Sequence, residues 1–252
     1  MKMLLALGAA LVLAGSPDED LDKAAAKAAE MGNYSCTIST KMEGGGGGGG
    51  GDRGPQAVEL QIKADAPWHV KMGELEAYKK GEAIAVRDGE TWKKLGRPER
   101  PAEGERPDRK AMAAQGLRMV RGPHETLKEL KSASFKEVKR EDSEGGRCYS
   151  GELTEEALKA FAQRRRGGGG GGGDRPAPKS TGNARIWVNG DGAVTKFEVY
   201  IESTFKNRED EDVTTKRTTT VEIRDIGSTK YDVPEAAAKV FEEAPKDRKV
   251  EK

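Results

Sequence analysis

The sequence holds two histidines, His69 and His124, and neither belongs to a recognisable catalytic motif. His69 alternates with Trp68 and Val70 in a strand-like run, so we expect its ring on the solvent face of a sheet. His124 begins a helical stretch and is expected on the surface as well. No Gly-x-Ser-x-Gly, His-Glu-x-x-His or Cys-x-x-Cys pattern occurs in the chain. The sequence therefore predicts no catalytic residues, no metal ligands, no cofactor and no enzymatic activity.

The two cysteines, Cys36 and Cys148, are the next residues that could react. In an exported protein they would meet an oxidising compartment, which makes them a candidate disulfide. The alternative is two separate, partly buried thiols. The sequence leaves both open, because a bridge depends on a geometry that spacing along the chain does not reveal.

Two glycine tracts, Gly44–Gly51 and Gly167–Gly173, interrupt the patterned sequence. A phosphate-binding loop needs a lysine and a serine or threonine after its glycines, whereas both tracts run into Asp-Arg. Consecutive glycines have no side chains to pack and a large backbone entropy. We therefore predict flexible surface loops at 44–54 and 167–182.

Two charged stretches could bind ions or headgroups, but each has a simpler interpretation. Glu209–Asp212 lacks the alternating spacing of a calcium loop, so a solvated turn is expected. Arg164–Arg166 is expected to end a helix, where basic residues compensate the helix dipole. The whole chain has 44 Lys and Arg against 43 Asp and Glu, which predicts no nucleic-acid partner.

The N-terminus has the pattern of a secretory signal peptide. Lys2 precedes the apolar run Met3–Ala14, and small residues follow at Gly15 and Ser16. This predicts a signal peptide at 1–15, a single domain at 16–243 and a disordered tail at 244–252. We expect export to the periplasm or the extracellular space, with no transmembrane segment after cleavage.

The clearest structural pattern lies near the C-terminus, in strand-like runs that end in a helix. Ala184–Val188 and Ala193–Glu202 flank a turn at Asn189–Gly192, and Val213–Arg224 and a helix at Val233–Phe241 follow. Apolar and polar residues alternate along these runs, which predicts an antiparallel sheet with one apolar face.

Earlier segments repeat this alternation between helical stretches. A helix capped by Ser16 follows the signal, and Thr154 is expected to cap another helix. The remaining predicted strands lie at residues 34–38, 58–63, 68–72, 81–87, 90–94, 135–138 and 147–151. Tight turns between neighbours make the sheet antiparallel. The predicted class is α+β: a curved antiparallel β-sheet with a few helices.

At this level the chain resembles a known family. The resemblance lies in Asn33–Ile38, Gly81–Trp92, Tyr149–Leu153, Ile186–Gly192 and Tyr231–Pro234, which together span nearly the whole mature chain. This order of segments is similar to the LolA/LolB-like lipoprotein-carrier fold, nearest the LppX/LprG-type lipid-binding proteins. The resemblance implies that the curved sheet forms an incomplete barrel, or half-barrel, with helices packed on its concave face. An acyl chain would lie between the helices and the sheet.

Two functions follow as expectations. One is an exported protein that binds or carries an apolar ligand, such as a lipid or the acyl chain of a lipoprotein. The other is an exported protein-interaction or sensor module of the same fold whose core is filled by its own side chains. The residues expected to line the concave face are Val58, Leu60, Ile62, Val70, Met72, Trp92, Leu158, Phe161, Trp187, Phe197, Val199 and Ile201.

The signal-peptide pattern gives a direct prediction. N-terminal sequencing of the secreted protein should place the mature start near Gly15 to Pro17, because the apolar run ends there. A secreted chain that still begins at Met1 would contradict it.

Overall fold

The computed structural model describes residues 15–44, 53–96, 114, 116–163, 178–207 and 210–242. The predicted signal segment, most of both glycine tracts, Arg164–Arg166, Glu209 and the predicted tail lie outside these residues. The helices are α1 (Pro17–Ala29), α2 (Pro123–Leu127), α3 (Glu155–Gln163) and α4 (Glu235–Glu242), with helical residues also at 116–119. The strands are β1 (Asn33–Gly44), β2 (Arg53–Lys63), β3 (Trp68–Met72), β4 (Leu75–Lys80), β5 (Ala83–Asp88), β6 (Thr91–Lys94), β7 (Lys139–Ser143), β8 (Gly146–Glu152), β9 (Lys179–Asn189), β10 (Val194–Lys206) and β11 (Asp212–Arg224).

The described strands form one eleven-stranded sheet in the order β6-β5-β4-β3-β2-β1-β11-β10-β9-β8-β7. Every neighbouring pair is antiparallel. The order ends at β6 on one side and β7 on the other, so the sheet is not closed into a barrel. The predicted α+β class with a curved, incomplete barrel is confirmed.

The hairpin between β9 and β10 forms as its sequence predicts. The Asn189 side-chain oxygen accepts hydrogen bonds from the backbone N–H groups of Asp191 and Ala193, at 3.1 and 2.9 Å. Gly192 has φ +75°, a conformation that costs glycine little. An asparagine that hydrogen-bonds its own backbone and a glycine with positive φ reverse the chain within four residues.

Most of the core lies on one side of the sheet, which we call the inner face. Helix α1 begins where Ser16 Oγ accepts from the Glu19 N–H at 3.3 Å, so the predicted cap is confirmed. Its stripe of Leu21, Ala24 and Ala28 is buried in this core. The small alanines allow the helix to pack close to the strands. Buried residues from the sheet and from the segments around α2 and α3 complete the core, among them Leu60, Ile186, Phe197, Leu117, Leu127, Leu130, Leu158 and Phe161.

Polar contacts fix α1 to the sheet at both ends. The Asp20 carboxylate, 16% exposed, accepts from Arg140 at 3.1 Å and from Arg147 at 3.2 Å. At the other end Lys27 donates to the Asp191 carbonyl oxygen at 2.6 Å. These charge-assisted hydrogen bonds set the position of α1 across β7, β8 and the β9–β10 turn.

A second, smaller cluster lies on the opposite side, the outer face. It joins Tyr78 and Ala85 of β4 and β5 to α4 and the segment before it, and we call it the outer cluster. Its members are Tyr78, Ala85, Trp92, Tyr231, Val233, Ala237, Val240 and Phe241. The prediction that the helices lie on the concave face is therefore wrong for α4.

Two predicted boundaries also differ. The strand expected at 135–138 is instead a single bridge between Phe135 and Leu153, and the strand itself begins at Lys139. The apolar residues there mark packing against the core rather than a ladder. The loop expected to reach residue 182 ends earlier, because β9 begins at Lys179 and pairs with β10 from there.

The position of Asp20 leads to a matched pair of stability predictions. Asp20→Asn should lower the free energy of unfolding by about 1–2 kcal/mol, because it weakens hydrogen bonds to two guanidinium groups. Asp18→Asn removes the same charge from an exposed site in the same helical turn and should change it by less than about 0.5 kcal/mol. Urea unfolding of both variants measures the difference. Equal losses would show that Asp20 acts through the helix dipole alone.

Candidate functional site

The centre of the inner face is a packed core. Seven of the twelve residues predicted to line a concavity are buried there, namely Leu60, Ile62, Val70, Leu158, Phe161, Phe197 and Val199. Val58, Met72 and Ile201 pack against the same core and are partly buried. The fold thus brings ten of the predicted residues into one core, eight from the sheet and two from α3, and their role as ligand contacts stays a prediction.

The two tryptophans do not join them. Trp92 lies in the outer cluster, because a two-residue loop at Gly89 and Glu90 pairs it with Arg87. Trp187 lies on the outer face beside Cys148, with the Lys196 ammonium 4.8 Å from its ring centre. Placing these tryptophans on the concave face was therefore wrong.

The cover on the inner face thins toward one end of the sheet. Along β10, Phe197 and Val199 are 1% and 4% exposed, Ile201 is partly buried and Phe205 is 39% exposed. Beside it Val213, which pairs with Phe205, is again buried. The partly covered stretch is therefore bounded by the core on one side and by the strand tips on the other.

We call this stretch the open end, and it consists of Met42, Ile201, Ser203, Thr215 and Arg217. Directly paired residues of an antiparallel sheet point to the same side. Arg217 pairs with Ile201 on β10 and with Met42 on β1, so all three belong to the inner face. All five residues are partly buried. The open end therefore combines aliphatic side chains, hydroxyl groups and one guanidinium.

Sequence reasoning missed Arg217, Ser203 and Thr215. The run from Thr214 to Thr220 is polar throughout, so alternation does not show which residues face inward. The signal was available by counting back in steps of two from Val221, which is clearly an inner-face residue.

One buried hydroxyl lies between the core and the open end. Thr219 pairs with Val199 on β10 and with Thr40 on β1. Its Oγ1 atom is buried and has no hydrogen-bond partner among the residues that the structure describes. A buried polar atom without a hydrogen-bond partner lowers the stability of the folded protein, so this hydroxyl is unfavourable where it lies.

The cysteines are not bridged, which corrects the candidate disulfide. Both are buried free thiols. Cys36 lies on β1 and Cys148 on β8, four strand spacings or about 19 Å away along the sheet. They also face opposite sides, since Cys36 belongs to the inner core and Cys148 pairs with the outward Trp187. Burial raises the pKa of the Cys36 thiol to about 12, which makes it unreactive.

His69 is not a surface residue, contrary to expectation. It lies on the outer face as predicted, but it is only 8% exposed. Its ring stacks on Tyr78 at 4.9 Å and hydrogen-bonds to Gln61 and Glu76, at 2.7 and 2.9 Å. Tyr231, from the segment before α4, lies against the same ring. The C-terminal segment thus covers a face that alternation alone predicts to be wet.

His124 is also enclosed. Its Nδ1 atom is 2.7 Å from the Tyr34 hydroxyl, and the Trp68 ring lies edge-on at 5.7 Å. Burial lowers the pKa of His124, which favours the neutral ring. The unprotonated Nδ1 atom of a neutral ring can accept a hydrogen bond from the Tyr34 hydroxyl. This pair connects α2 to β1, so its role is in packing.

A surface groove of about 630 Å³ lies away from all of these groups, formed by the loops at one end of the sheet. Its lining is Met31–Asn33, Lys63–Ala66, Ile226 and Gly227, and it contains none of the twelve predicted residues.

The described residues contain no group of three or more His, Cys, Asp or Glu side chains placed to hold a metal ion. None of their helices is long and apolar enough to cross a membrane.

Comparisons with known proteins give only distant likenesses. No family model matches the chain, and no curated protein matches it. A LolA superfamily protein from Nitrosomonas europaea is 11% identical, with 90% of this chain and 98% of that chain covered and a TM-score of 0.31. A tesB protein from Mycobacterium avium subsp. paratuberculosis is 13% identical, with 82% and 84% covered and a TM-score of 0.11. The first shares the family name of the resemblance seen in the sequence, and neither concerns the LppX/LprG-type proteins. At these TM-scores they carry no argument about function.

The pKa shift of His124 predicts a pH-dependent stability. The pKa of His124 is lower in the folded state than in the unfolded state. At pH values between these two pKa values, the folded protein therefore binds fewer protons than the unfolded protein. The stabilisation by neutral His124 should be fully present above about pH 6.5 and decline as the pH falls through the folded pKa. Denaturant unfolding of wild type and His124→Gln should therefore show a stability gap that is larger at high pH. A gap independent of pH would refute the assignment.

Proposed function

We propose that this protein binds an apolar ligand, a lipid or the acyl chain of a lipoprotein, at the open end of its inner face. The observation that supports this is the loss of cover along β10, from buried Val199 to partly buried Ile201 and exposed Phe205. Aliphatic groups left partly in water gain about 25 cal/mol for each Å² that a ligand covers.

The proposed site differs from the concavity that the sequence predicts. Leu60, Val70 and Phe197 are each about 1% exposed, so a ligand at the centre would have to displace packed side chains. At the open end, by contrast, Ile201 already contacts the core on one side and remains partly exposed on the other. An acyl chain there would extend the core without disrupting it.

Export is part of the proposal and rests on the N-terminal sequence. Lys2, the apolar run Met3–Ala14 and the small residues after it have the order of a signal peptide. The two buried thiols are compatible with either redox environment, because neither is exposed to an oxidant. The protein would then act in the periplasm or outside the cell as a carrier or sensor.

A second candidate function is an exported interaction module with a filled core. The dense packing at the centre of the inner face favours it, since a core of this kind needs no ligand. The two functions differ in whether the open end takes up an apolar molecule.

Binding of the neutral fluorescent probe N-phenyl-1-naphthylamine tests the proposal. Wild type should bind it saturably, and Ile201→Gln should weaken binding about tenfold, because it places an amide in the middle of the apolar surface. Since Ile201 is only partly buried, the variant should remain folded. Native mass spectrometry of the gently purified protein should also detect a co-purifying lipid.

Val138→Gln is the matched control. Val138 is likewise an aliphatic residue partly buried against the inner core, but it lies just before β7, away from the open end. It should leave probe binding unchanged. If wild type neither binds the probe nor carries lipid, the ligand-binding proposal is wrong and the filled-core module stands.

A further inference from the structure

The C-terminal segment, residues 228–242, packs far from the strand that it follows. It leaves the sheet at the end of β11, whereas its apolar side chains lie against β4, β5 and β6, four to six places away in the strand order. Helix α4 packs mainly on β5 and β6. No described residue of the outer cluster belongs to the inner core. The segment can therefore leave the outer face without opening that core.

Three side-chain hydrogen bonds hold the segment on the outer face. Lys63 donates to the Tyr231 carbonyl oxygen at 2.9 Å, and Tyr78 donates to that of Asp232 at 3.0 Å. The Tyr231 hydroxyl donates to the Pro67 carbonyl oxygen at 2.8 Å. The sheet groups in these bonds come from β2, from β4 and from the turn between β2 and β3. A second copy of the chain presents the same groups, so it offers the segment the same contacts.

A short turn at residues 225–227, which we call the hinge, joins β11 to the segment. Asp225 and Gly227 have φ +53° and +78°. The Asp225 carbonyl oxygen accepts from the N–H groups of Ser228 and Thr229, at 3.0 and 3.1 Å. Opening the turn loses these two hydrogen bonds but frees Asp225 from a left-handed conformation that is unfavourable for a residue with a side chain. Three extended residues span at most about 10 Å. A segment that docks on a second copy therefore keeps the two hinges close together.

The surface beside the hinge has an exposed apolar part. Ile226, within the hinge, is 39% exposed and lines the surface groove together with Met31, Ala64 and Ala66. It is one of three large apolar side chains that are exposed among the described residues. In a two-fold dimer with adjacent hinges, Ile226 of each copy would lie against the groove of the other and be removed from water.

We propose that the C-terminal segment docks on the outer face of a second copy of this chain, which forms an exchanged dimer. Each copy gives its residues 228–242 and receives those of the other, so the contacts of the outer cluster are kept between chains. The hinges and the groove form the contact that a single copy lacks. The balance between closed monomer and exchanged dimer then depends on that contact and on the protein concentration. This inference is independent of the proposed ligand, since it concerns the outer face.

Mixing two variants tests the exchange by complementation. Ala237→Asp places a carboxylate on the buried side of α4, and Ala85→Asp places one on β5 beneath that helix; both alanines are 0% exposed. Either carboxylate should prevent docking, because burying an unpaired charge is strongly unfavourable. Each variant alone should therefore have the monomer mass in size-exclusion chromatography with light scattering. In an equimolar mixture, the intact segment of Ala85→Asp meets the intact face of Ala237→Asp, so a species of twice that mass should appear.

Ala236→Asp is the matched control for Ala237→Asp, because Ala236 is the exposed neighbour on the same helix. It should form dimer as wild type does, with a share that increases with protein concentration. A milder pair covers the case in which an aspartate variant does not fold. Phe241→Ala and Trp92→Ala remove partly buried rings from the segment and from the face. Their mixture should contain more dimer than either variant alone, because one of its two interfaces is intact.

The contact between the hinges has its own test. Ile226→Asp should lower the association constant of the wild-type dimer about tenfold, because it places a charge in that contact. Phe205→Asp is its control and should leave the dimer unchanged. Phe205 is also 39% exposed, but it pairs with Val213 at the opposite end of β11 from Arg224.

The possible results are distinct. Monomer mass in the mixture of folded variants, or in concentrated wild type, would overturn the exchange and leave the segment docked only within its own chain. A dimer in either aspartate variant alone, as abundant as in wild type, would show a different interface and overturn it as well. An unchanged dimer in Ile226→Asp would overturn the assignment of the groove to the second copy.

Discussion

The pairing of β1 with β11 is the constraint on which the rest of the structure depends. Ten residue pairs, from Ser35–Arg224 to Gly44–Thr215, join β1 to β11, which are the first and last strands in chain order. Without them, β1–β6 and β7–β11 would be two separate meanders with exposed edges. The inner face is continuous only across this pairing, where Cys36 lies opposite Ile223 and Ile38 opposite Val221. Because its partners are so distant in sequence, closing it costs the most chain entropy and is expected late in folding.

The two halves of the sheet are covered differently on their two faces. On the β2–β5 side, the C-terminal segment is fixed by Lys63 and Tyr78, which donate to the Tyr231 and Asp232 carbonyl oxygens at 2.9 and 3.0 Å. Tyr231 in turn donates to Pro67 at 2.8 Å. That side has packed layers on both faces. On the β9–β11 side, the outer face carries polar residues such as Glu198 and Lys216, and the inner face is partly covered at the open end.

The sequence pattern predicted correctly those features that depend on residues close together in the chain. The cap at Ser16, the turn at Asn189–Gly192 and the inward side of Phe197 and Val199 all follow from spacing alone. The fold class followed too, because tight turns between alternating runs leave few options besides an antiparallel sheet. What failed depended on distant parts of the chain. His69 is buried by a segment that lies more than half the chain away, which no local pattern encodes.

The misplaced aromatic residues have a different cause. Ile186, Trp187 and Val188 are all apolar, so alternation does not say which of them faces inward. The register with β8 and β10 decides it, and that register includes a shift near Val194. The free cysteines could likewise not be separated from a disulfide without knowing how many strands lie between them. The open end was missed because its determinants lie on three strands whose order only the tertiary structure reveals.

In the proposed function, one set of strands serves both stability and recognition without a dedicated loop. β10 and β11 are thirteen residues long, and their inner-face residues run from buried Phe197 and Val221 to partly buried Ser203 and Thr215. Their inner residues first build the core and then, further along, form a surface. Side chains on paired strands have less freedom than side chains on loops, so a ligand there would meet a largely preformed site. In the proposed function, strand length beyond the buried core, more than any single residue, would provide the binding surface.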